Sequence, residues 1–383
     1  MPDDEYKLPA APVLPNEDAT PQLVLSEDQA LAMAQLRAWF ALRATLPSTR
    51  FGGAAGSGKT TLINQLTREL KSTRTAVLSF TGKAVQVLRS KGMPRAQTVH
   101  SYLYIPRSLL VGGVCFVPKP RECFEERLII VDEAQTLNTM LYRDLTALGI
   151  PILYVGDMCQ LEPIGENPQL MLNPPIKLTK VHRQAEKSAI IRFSRVLREG
   201  QGLEGFEPVP GEVEFGDFAE AKELLLTGGV DQAICGYNKT RHELNALMRA
   251  HYGFKHLVDV GDKLICLRNN KEAGIFNGQI CTVLQVGRNT VTTLQLELMT
   301  ESGEEIWQTC EPDQFGHDAY PFNLMRKGLA YFDYGYAVTA HKAMGSEWDR
   351  VVVFEEVHDS WEFSRWAYTS VTRASKFLFY AQR

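Results

Sequence analysis

A glycine-rich segment of eight residues constrains the fold of this chain more than any other feature. Residues 53–60 read GAAGSGKT, which matches the phosphate-binding loop pattern G-x-x-x-x-G-K-[ST]. Such a loop needs glycines because its backbone N–H groups must turn towards phosphate oxygens, while the helix that follows presents its positive N-terminus. A Gly-rich linker is the alternative reading, but residues 64–70, NQLTREL, continue as a helix. The segment therefore predicts a strand, loop and helix that bind ATP or another nucleotide.

Two side chains of this loop have predicted roles of their own. Lys59 can reach the β- and γ-phosphates, and the hydroxyl of Thr60 can hold Mg²⁺. The strand before the loop, 48–51, is unusually polar. The other predicted nucleotide-binding residues of the segment are Gly53, Gly56, Ser57, Gly58 and Thr61.

Short apolar runs alternate with helical stretches around the loop. A helix is predicted over 27–44, capped by Ser26, with its apolar face formed by Leu31, Leu36, Trp39 and Phe40. Mostly parallel α/β sheets are predicted from apolar runs at 76–80, 128–131, 151–155, 232–236 and 351–354.

Two stretches interrupt this alternation. Residues 104–121 carry VCFV among Pro and Gly, which predicts a small β-hairpin. Residues 260–332 change to β alternation, and Asn277-Gly278 is a strong signal for a hairpin turn between strands. The second stretch therefore predicts a small all-β insertion.

Length and composition limit the possible classes. The 383 residues are enough for two or three domains, and the net charge of −4 excludes a uniformly basic coat for nucleic acid. Any nucleic-acid track must therefore be a local basic surface. The seven cysteines are odd in number and lack C-x-x-C spacing, which argues against a disulfide framework or zinc site and fits a reducing cytosol. The acidic, Pro-rich N-terminus reads as a disordered tail and not a signal peptide, and no apolar run predicts a membrane span.

Carboxylates follow an apolar strand in LIIVDEAQ, residues 128–135. Asp132 is predicted to hold Mg²⁺ through water, and Glu133 to orient and activate the attacking water. A buried strand followed by an acidic helix start would be the reading without the phosphate loop. Gln160, in YVGDMCQLEPIG, ends a third strand at the same sheet edge and could reach the γ-phosphate.

In this order and spacing, GAAGSGKTT, VDEAQ and GDMCQLEPIG resemble motifs I, II and III of superfamily 1 helicases. Further segments are similar to the remaining motifs: LSEDQ to the Q motif, FTGKA to Ia, TVHS to Ib, LTKVHRQ to IV, AVTAHKAMGSEWD to V and YTSVTRA to VI. The resemblance is closest to the RecD/Dda group, superfamily 1B. One departure is Met344, where relatives commonly have Gln before the motif V glycine.

The resemblance implies two RecA-like domains that close on ATP and Mg²⁺ and travel 5′→3′ on single-stranded DNA. It places Gln29 against the adenine, and it brings Arg183 and Arg373 from the second domain to the γ-phosphate, where guanidinium groups stabilise developing charge. A surface ion pair is the alternative for either arginine. The implied nucleic-acid contacts are Thr81, Lys83, Thr98, His100, Thr339, His341 and Lys342. His100 and His341 could equally be satisfied core histidines.

The hairpin sits where relatives carry a pin that splits duplex DNA, and Phe116, expected at its tip, is the candidate wedge. The all-β stretch resembles an SH3-like domain. The predicted fold class is thus α/β, with two RecA-like P-loop NTPase domains, a β-hairpin pin and an SH3-like insertion. Its boundaries are a tail at 1–22, a first domain at 23–175 with the pin at about 102–125, and a second domain at 176–383 with the insertion at about 260–334.

The predicted function is an ATP-dependent DNA helicase or translocase that binds single-stranded DNA and single-strand/duplex junctions. We expect a monomer in a bacterial or phage-infected cytosol, with no membrane association. It would work in replication, repair or recombination together with proteins of those pathways. The alternatives are a translocase that remodels protein–nucleic acid complexes or acts on RNA, and a nucleotide-dependent clamp. Glu133, Gln160 and the two arginines favour a turnover enzyme over a clamp.

Overall fold

The computed structural model describes residues 25–70, 74–108, 114–163, 165–179, 187–269, 274–318, 328–359 and 361–383. The predicted tail at 1–22 and Arg183 lie outside these ranges.

The N-terminal half of the chain forms one parallel sheet, its helices and a hairpin. The helices are α1 (Glu27–Leu42), α2 (Lys59–Glu69), α3 (Gly82–Ser90), α4 (Val99–Leu103) and α5 (Thr139–Ala147). The strands are β1 (Ser48–Gly53), β2 (Thr75–Ser79), β3 (Gln97–Thr98), β4 (Tyr104–Ser108), β5 (Val114–Pro118), β6 (Leu128–Val131), β7 (Ile152–Gly156) and β8 (Ile176–Leu178). The sheet order is β3-β2-β6-β7-β1-β8, with parallel neighbours, whereas β4 and β5 form a separate antiparallel hairpin. All residues of β6 and β7 are buried, as expected for central strands of a sheet covered on both faces.

Helix α1 begins where the sequence predicts, because Ser26 and Gln29 form a capping box: the Ser26 hydroxyl accepts from the Gln29 N–H, and the Gln29 side chain accepts from the Ser26 N–H. The helix ends at Leu42, two residues before the predicted end. The prediction for Leu31 is wrong, since this side chain is 60% exposed while Met33 is buried. The buried face of α1 contains Gln29, Met33, Leu36 and Trp39, and Leu31 lies outside this face.

Strand β8 corrects the predicted boundary between the two halves. The boundary at 176 assigns these residues to the second domain, but β8 pairs in parallel with β1, with Phe51 opposite Ile176. Ile176 and Leu178 are buried in the same apolar cluster as the phosphate-loop strand and α1. The first sheet therefore extends at least to Leu178.

The C-terminal half contains a second parallel sheet and an antiparallel one. Its helices are α6 (Ala189–Arg198), α7 (Phe218–Leu226), α8 (Asn238–His251), α9 (Ala340–Ala343) and α10 (Phe363–Val371). Its strands are β9 (Val213–Asp217), β10 (Gln232–Cys235), β11 (Lys263–Cys266), β12 (Ile280–Asn289), β13 (Leu294–Thr300), β14 (Glu305–Cys310), β15 (Phe332–Tyr334), β16 (Ala337–Thr339), β17 (Trp348–Phe354) and β18 (Ala374–Gln382). The parallel sheet has the order β16-β10-β17-β18-β9. Two parallel sheets with flanking helices confirm the predicted α/β class.

The antiparallel sheet has the order β14-β13-β12-β11-β15 and its own apolar core, which includes Leu264, Leu296 and Leu298. It lies where the sequence predicts an all-β insertion; its SH3-like character stays a prediction. Asn277-Gly278 does form a turn, with Gly278 in the left-handed region at φ +87°. However, it does not join two strands directly, because the Gly278 N–H donates to the Cys266 carbonyl and folds a longer connection back onto the end of β11.

A short joint connects this insertion to the parallel sheet. Only Gly335 and Tyr336 separate β15 from β16. The Gly335 N–H donates to the Lys263 carbonyl, and a Cβ at Gly335 would lie 2.9 Å from the Leu264 carbonyl carbon. The Tyr336 hydroxyl accepts from the Lys263 N–H at 3.1 Å, so both residues of the joint are held against β11.

Candidate functional site

The phosphate-loop segment connects β1 to α2, as the sequence predicts. Gly56 and Gly58 adopt positive φ values of 73° and 91°, which L side chains rarely adopt, and a Cβ at Gly53 would lie 2.6 Å from the Ser57 hydroxyl. The glycines are therefore needed for this path. Thr60 and Thr61 lie in the first turn of α2, whose N-terminus carries no side-chain cap. Its free N–H groups suit an anion.

The loop is held by Lys59 and Gln29. The Lys59 ammonium donates to the carbonyls of Gly53 and Ala54, at 2.8 and 3.0 Å. The buried Gln29 side chain donates to the Ser57 carbonyl at 3.2 Å and packs directly over Gly58. Gln29 thus positions the phosphate loop from α1, a contact separate from its predicted reading of adenine.

Asp132 and Glu133 follow β6 at the edge where the phosphate loop also lies. Burial, followed by the neighbouring Glu133 carboxylate, raises the pKa of Asp132 to about 7, and the Lys59 ammonium acts in the opposite direction. Glu133 has a positive φ of 54°, an uncommon value for a residue with a side chain. A buried carboxylate near a lysine and beside a second carboxylate is an environment that a divalent cation would stabilise.

Gln135 connects the polar residues of this edge. Its amide donates to the Glu133 carboxylate and, at 3.2 Å, to the Gln160 side chain. Its carbonyl oxygen accepts from the Asp157 N–H at 3.1 Å. The structure therefore brings Glu133 and Gln160 together through Gln135, which the sequence-based site did not include although it is part of VDEAQ.

Helix α10, from the C-terminal half, contacts the same edge. The Ala55 N–H in the phosphate loop donates to the Tyr368 hydroxyl at 2.8 Å, and this hydroxyl donates to the Asp157 carboxylate at 2.7 Å. The Leu161 N–H donates to the Thr369 hydroxyl at 2.9 Å. These bonds tie the second sheet to both the phosphate loop and the strand-end segment that carries Gln160.

Arg373 is buried and directly follows Thr372, the C-cap of α10. Its guanidinium donates to the Thr369 and Ser346 carbonyls and to the Thr372 hydroxyl, at 3.0–3.2 Å. All three partners belong to the C-terminal half, so contact with a γ-phosphate would need Arg373 to exchange these bonds. The surface ion pair considered as its alternative does not fit a buried side chain.

A cavity of about 840 Å³ lies between the first sheet, the second sheet and the insertion. Thr81, the cap of α3, lines it from the first sheet, next to Phe80. Thr339, His341 and Lys342 line it from the second sheet, at β16 and α9. Burial lowers the pKa of both His341 and Lys342. Four of the predicted nucleic-acid contacts therefore share one cavity.

The other predicted contacts lie elsewhere. Lys83 forms an ion pair with Glu301 of the insertion. Thr98 is buried and caps α4 by accepting from the Ser101 N–H. Burial lowers the pKa of His100, whose ring contacts Phe80 at a centroid distance of 5.9 Å.

The predicted place of Phe116 at the hairpin tip is wrong. Phe116 lies in the middle of β5, opposite Pro106, because VCFV begins the returning strand of the hairpin. Its ring lies 6.0 Å from His100 and 6.2 Å from Tyr104, and it is 41% exposed. Phe116 therefore extends an aromatic cluster that reaches the cavity through Phe80.

Comparison with known proteins shows which helicases this chain resembles. Residues 25–210 match the family model described as an AAA domain, and residues 334–379 match the UvrD-like helicase C-terminal domain. The ATP-dependent RecD2 DNA helicase of Deinococcus radiodurans is 28% identical over 93% of this chain and 49% of its own length. These matches support a likeness to the RecD/Pif1-like helicases of superfamily 1B. This confirms the resemblance drawn from the sequence motifs.

Other superfamily 1B proteins give the same result. The ATP-dependent DNA helicase Pif1 of Bdellovibrio bacteriovorus is 23% identical over 92% of this chain and 86% of its own length. The solved structure of Bacteroides Pif1 bound to single-stranded DNA aligns with a TM-score of 0.58 at 17% identity, covering 94% of this chain and 93% of that one. Candida albicans Pif1 aligns with a TM-score of 0.56 at 16% identity over 94% and 95%. These alignments confirm the fold, whereas the chain spans about half the length of the RecD2 relative.

Sequence reasoning missed several residues that the structure places at the edge beside the phosphate loop or in the cavity. Gln135, Asp157 and Tyr368 all lie inside segments quoted for their motif resemblance, so position within those segments was the available signal. Tyr237 and Trp361, which line the cavity, lie outside every quoted motif. Among the described residues, no helix combines the length and apolar character that a bilayer crossing requires.

Proposed function

We propose that this protein is an ATP-dependent DNA helicase or translocase that moves 5′→3′ on single-stranded DNA. The observation that carries the proposal is that the same two sheets meet at both regions. Tyr368 and Thr369 contact the nucleotide edge, the sheet edge that carries the phosphate loop, Glu133 and Gln160. Thr339, His341 and Lys342 of the second sheet line the same cavity as Thr81 of the first. Opening or closing at the nucleotide edge would therefore change the spacing of the cavity walls, which is the coupling that a motor needs. The names of its relatives, ATP-dependent DNA helicases, support the same conclusion.

In the proposed hydrolysis, Glu133 accepts a proton from the water that attacks the γ-phosphorus, and ADP leaves. Gln135 and Gln160 hold the Glu133 carboxylate and its surroundings in place. Lys59 exchanges its contacts with loop carbonyls for the β- and γ-phosphates.

The residues fit a Mg²⁺ ion bound with the nucleotide. Mg²⁺ uses one or two protein ligands together with phosphates and water, which matches the Thr60 hydroxyl and the Asp132 carboxylate. The raised pKa of Asp132 supports this role, because a nearby cation would offset the burial and the repulsion from Glu133. The ion would neutralise charge that develops on the phosphates.

Arg373 and Arg183 are the proposed second-domain contributors to the γ-phosphate. Arg373 is held close to α10, which contacts the phosphate loop through Tyr368, so a small rearrangement of this helix would redirect its guanidinium. DNA-dependent closure would then assemble the site. The remaining expectations, that the protein works as a monomer in the cytosol with replication or recombination proteins and opens duplexes with its hairpin pin, are part of the same proposal.

A pair of assays tests the proposed function. Steady-state ATPase activity should rise several-fold or more with single-stranded oligonucleotide, and duplexes with a 5′ tail should be unwound in preference to those with a 3′ tail. RNA tails of matched sequence separate a DNA motor from an RNA motor. ATPase activity that is equal with and without oligonucleotide would contradict a motor, and DNA binding with a single nucleotide turnover would indicate a clamp.

A further inference from the structure

Two aromatic rings line the same cavity as the predicted nucleic-acid contacts. Tyr237, in the turn between β10 and α8, and Trp361, two residues before α10, both border it. Their ring centroids are 4.9 Å apart, at an interplanar angle of 33°. Both side chains are only partly buried, whereas the neighbouring Trp366 is buried in the core of the second sheet.

The Tyr237 ring is fixed in position by hydrogen bonds at both ends. The buried Glu356 carboxylate accepts from the N–H groups of Gly236 and Tyr237, each at 2.8 Å. The Tyr237 hydroxyl donates to the Val357 carbonyl at 2.7 Å. Preorganised rings lose little conformational entropy when a ligand stacks on them.

Gly236 allows Trp361 to approach closely. A Cβ at this position would lie 2.6 Å from the Trp361 ring, so only glycine leaves the indole in its present place. The Trp361 ring also packs near that of Trp366, at a centroid distance of 6.2 Å and an interplanar angle of 16°. The indole is therefore held at the cavity wall by its packing against Gly236 and Trp366.

The chemistry of these rings differs from that of the other cavity residues. Thr81, Thr339 and Lys342 offer hydroxyl groups and a cation, which suit sugar and phosphate. Neutral aromatic rings suit the π-face of a nucleobase, and such stacking ignores base identity. A chain of nucleotides in this cavity would meet both sugar–phosphate contacts and a stacking surface.

We propose that Tyr237 and Trp361 form a base-stacking platform for single-stranded DNA on the second α/β sheet. The platform rests on the proposed function, since it requires that single-stranded DNA occupies the cavity. It adds base contacts that none of the motif residues supply, and it predicts that affinity depends on the presence of bases as well as on charge.

The test compares oligothymidine with an abasic oligonucleotide of equal length by fluorescence anisotropy at one salt concentration. Trp361→Ala should weaken oligothymidine binding about tenfold, which corresponds to about 1.4 kcal/mol, and should leave abasic binding unchanged. Trp361→Phe should retain most of the affinity. The dependence of log Kd on log salt should stay the same, because the phosphate contacts remain.

Trp307→Ala is the matched control. Trp307 is 52% exposed on β14 and, in the part of the chain that the structure describes, is not among the residues that line the cavity. It should bind both strands like the wild type. Tyr237→Leu is a second platform variant, for use if Trp361→Ala folds poorly. It keeps apolar bulk but removes the ring, and it should weaken binding of oligothymidine but not of the abasic strand.

The outcomes separate the platform from the proposed function. Equal weakening on both strands, or unchanged oligothymidine binding in folded Trp361→Ala and Tyr237→Leu proteins, would overturn the platform and leave the motor intact. Wild-type protein that binds neither strand would instead contradict the proposed function itself.

Discussion

The nucleotide edge and the cavity are built in different ways. At the edge, most polar groups come from contiguous segments of the first sheet, and they already hydrogen-bond to one another, as Gln135 does with Glu133, Gln160 and Asp157. The cavity instead collects side chains from both parallel sheets and from the insertion. An edge built from one sheet can keep its geometry while the sheets move, whereas the cavity changes with every such movement. The difference suits a chemical centre whose first-sheet residues keep their geometry while second-sheet residues join it on closure, and a cavity whose shape changes with that closure.

We expect the largest effect at Glu133, on the nucleotide edge. Glu133→Gln keeps the size of the side chain and removes the base, so ATP turnover should fall about 10²-fold or more while nucleotide still binds. Lys59→Ala should lower ATP turnover and also weaken nucleotide binding. Turnover and binding of a fluorescent nucleotide analogue measure the two quantities separately.

Glu125→Gln is the control for this pair, because Glu125 is an exposed partner of Arg74 on the first sheet. It should behave as the wild type. Near-normal turnover in Glu133→Gln would show that the general base lies elsewhere.

Tyr368 tests whether the edge communicates with the second sheet. Tyr368→Phe removes the hydroxyl that joins Ala55 to Asp157 but keeps the buried ring. A buried hydrogen bond to a charged group contributes roughly 1.5–3 kcal/mol, so the stimulation of ATPase activity by oligonucleotide should change by about tenfold. We expect a decrease, measured as the ratio of rates with and without DNA.

Tyr336→Phe is the control for Tyr368→Phe, because it also removes a hydroxyl that donates to a carboxylate, that of Asp262 at 3.1 Å. Its ring, however, packs in a different apolar cluster from α10, the helix that contacts the phosphate loop. It should lower stability without altering the stimulation ratio. Identical stimulation ratios in wild type and Tyr368→Phe would mean that this contact carries no coupling.

Phe116 lies at the outer end of the aromatic cluster that reaches the cavity. We expect Phe116→Ala to slow unwinding several-fold, because aromatic–base stacking is worth roughly 1–3 kcal/mol, with DNA-stimulated ATPase activity within about twofold of wild type. Ile105→Ala is the control, since Ile105 is equally exposed at 41% but neighbours Pro106 and so faces the opposite side of the hairpin. A parallel loss of unwinding, ATPase activity and melting temperature would assign Phe116 to packing instead.

The smallest expected effect is on the stability of the nucleotide-free protein. Because the folded-state pKa of Asp132 is about 7 and lies above its unfolded value, the native state binds the extra proton between these values. The contribution of Asp132 to stability therefore falls as pH rises from about 4 to 7. Asp132→Asn should raise the melting temperature by a few degrees at pH 8 and by less at pH 5, as measured by thermal unfolding without Mg²⁺. An equal change at both pH values would contradict this assignment.

The sequence predicted best what depends on neighbouring residues. Strand β6 has its predicted bounds, and α1 starts at Glu27 because its capping box is local. Even the polar strand β1 forms as predicted, since Arg50 donates to the Leu170 and Leu172 carbonyls and the last three residues of the strand are buried.

The wrong or missed predictions concern features that tertiary contacts determine. No local signal indicates that Ile176 pairs with Phe51, or that the Asn277-Gly278 turn folds back onto Cys266. Likewise, Tyr237 and Trp361 are far apart in the chain and become neighbours only when Gly236 and Glu356 pack together. Such pairs could not be predicted from spacing or composition.

The joint at Gly335 and Tyr336 has a consequence for how force passes through the molecule. Both residues of the joint hydrogen-bond to Lys263, so the connection between β15 and β16 is short and fixed. A load applied to the insertion is therefore delivered directly to β16 and to His341 and Lys342 just beyond it. In a single-molecule pulling experiment, the insertion and the second sheet should yield in one step, and lengthening the joint with glycines should divide that step into two.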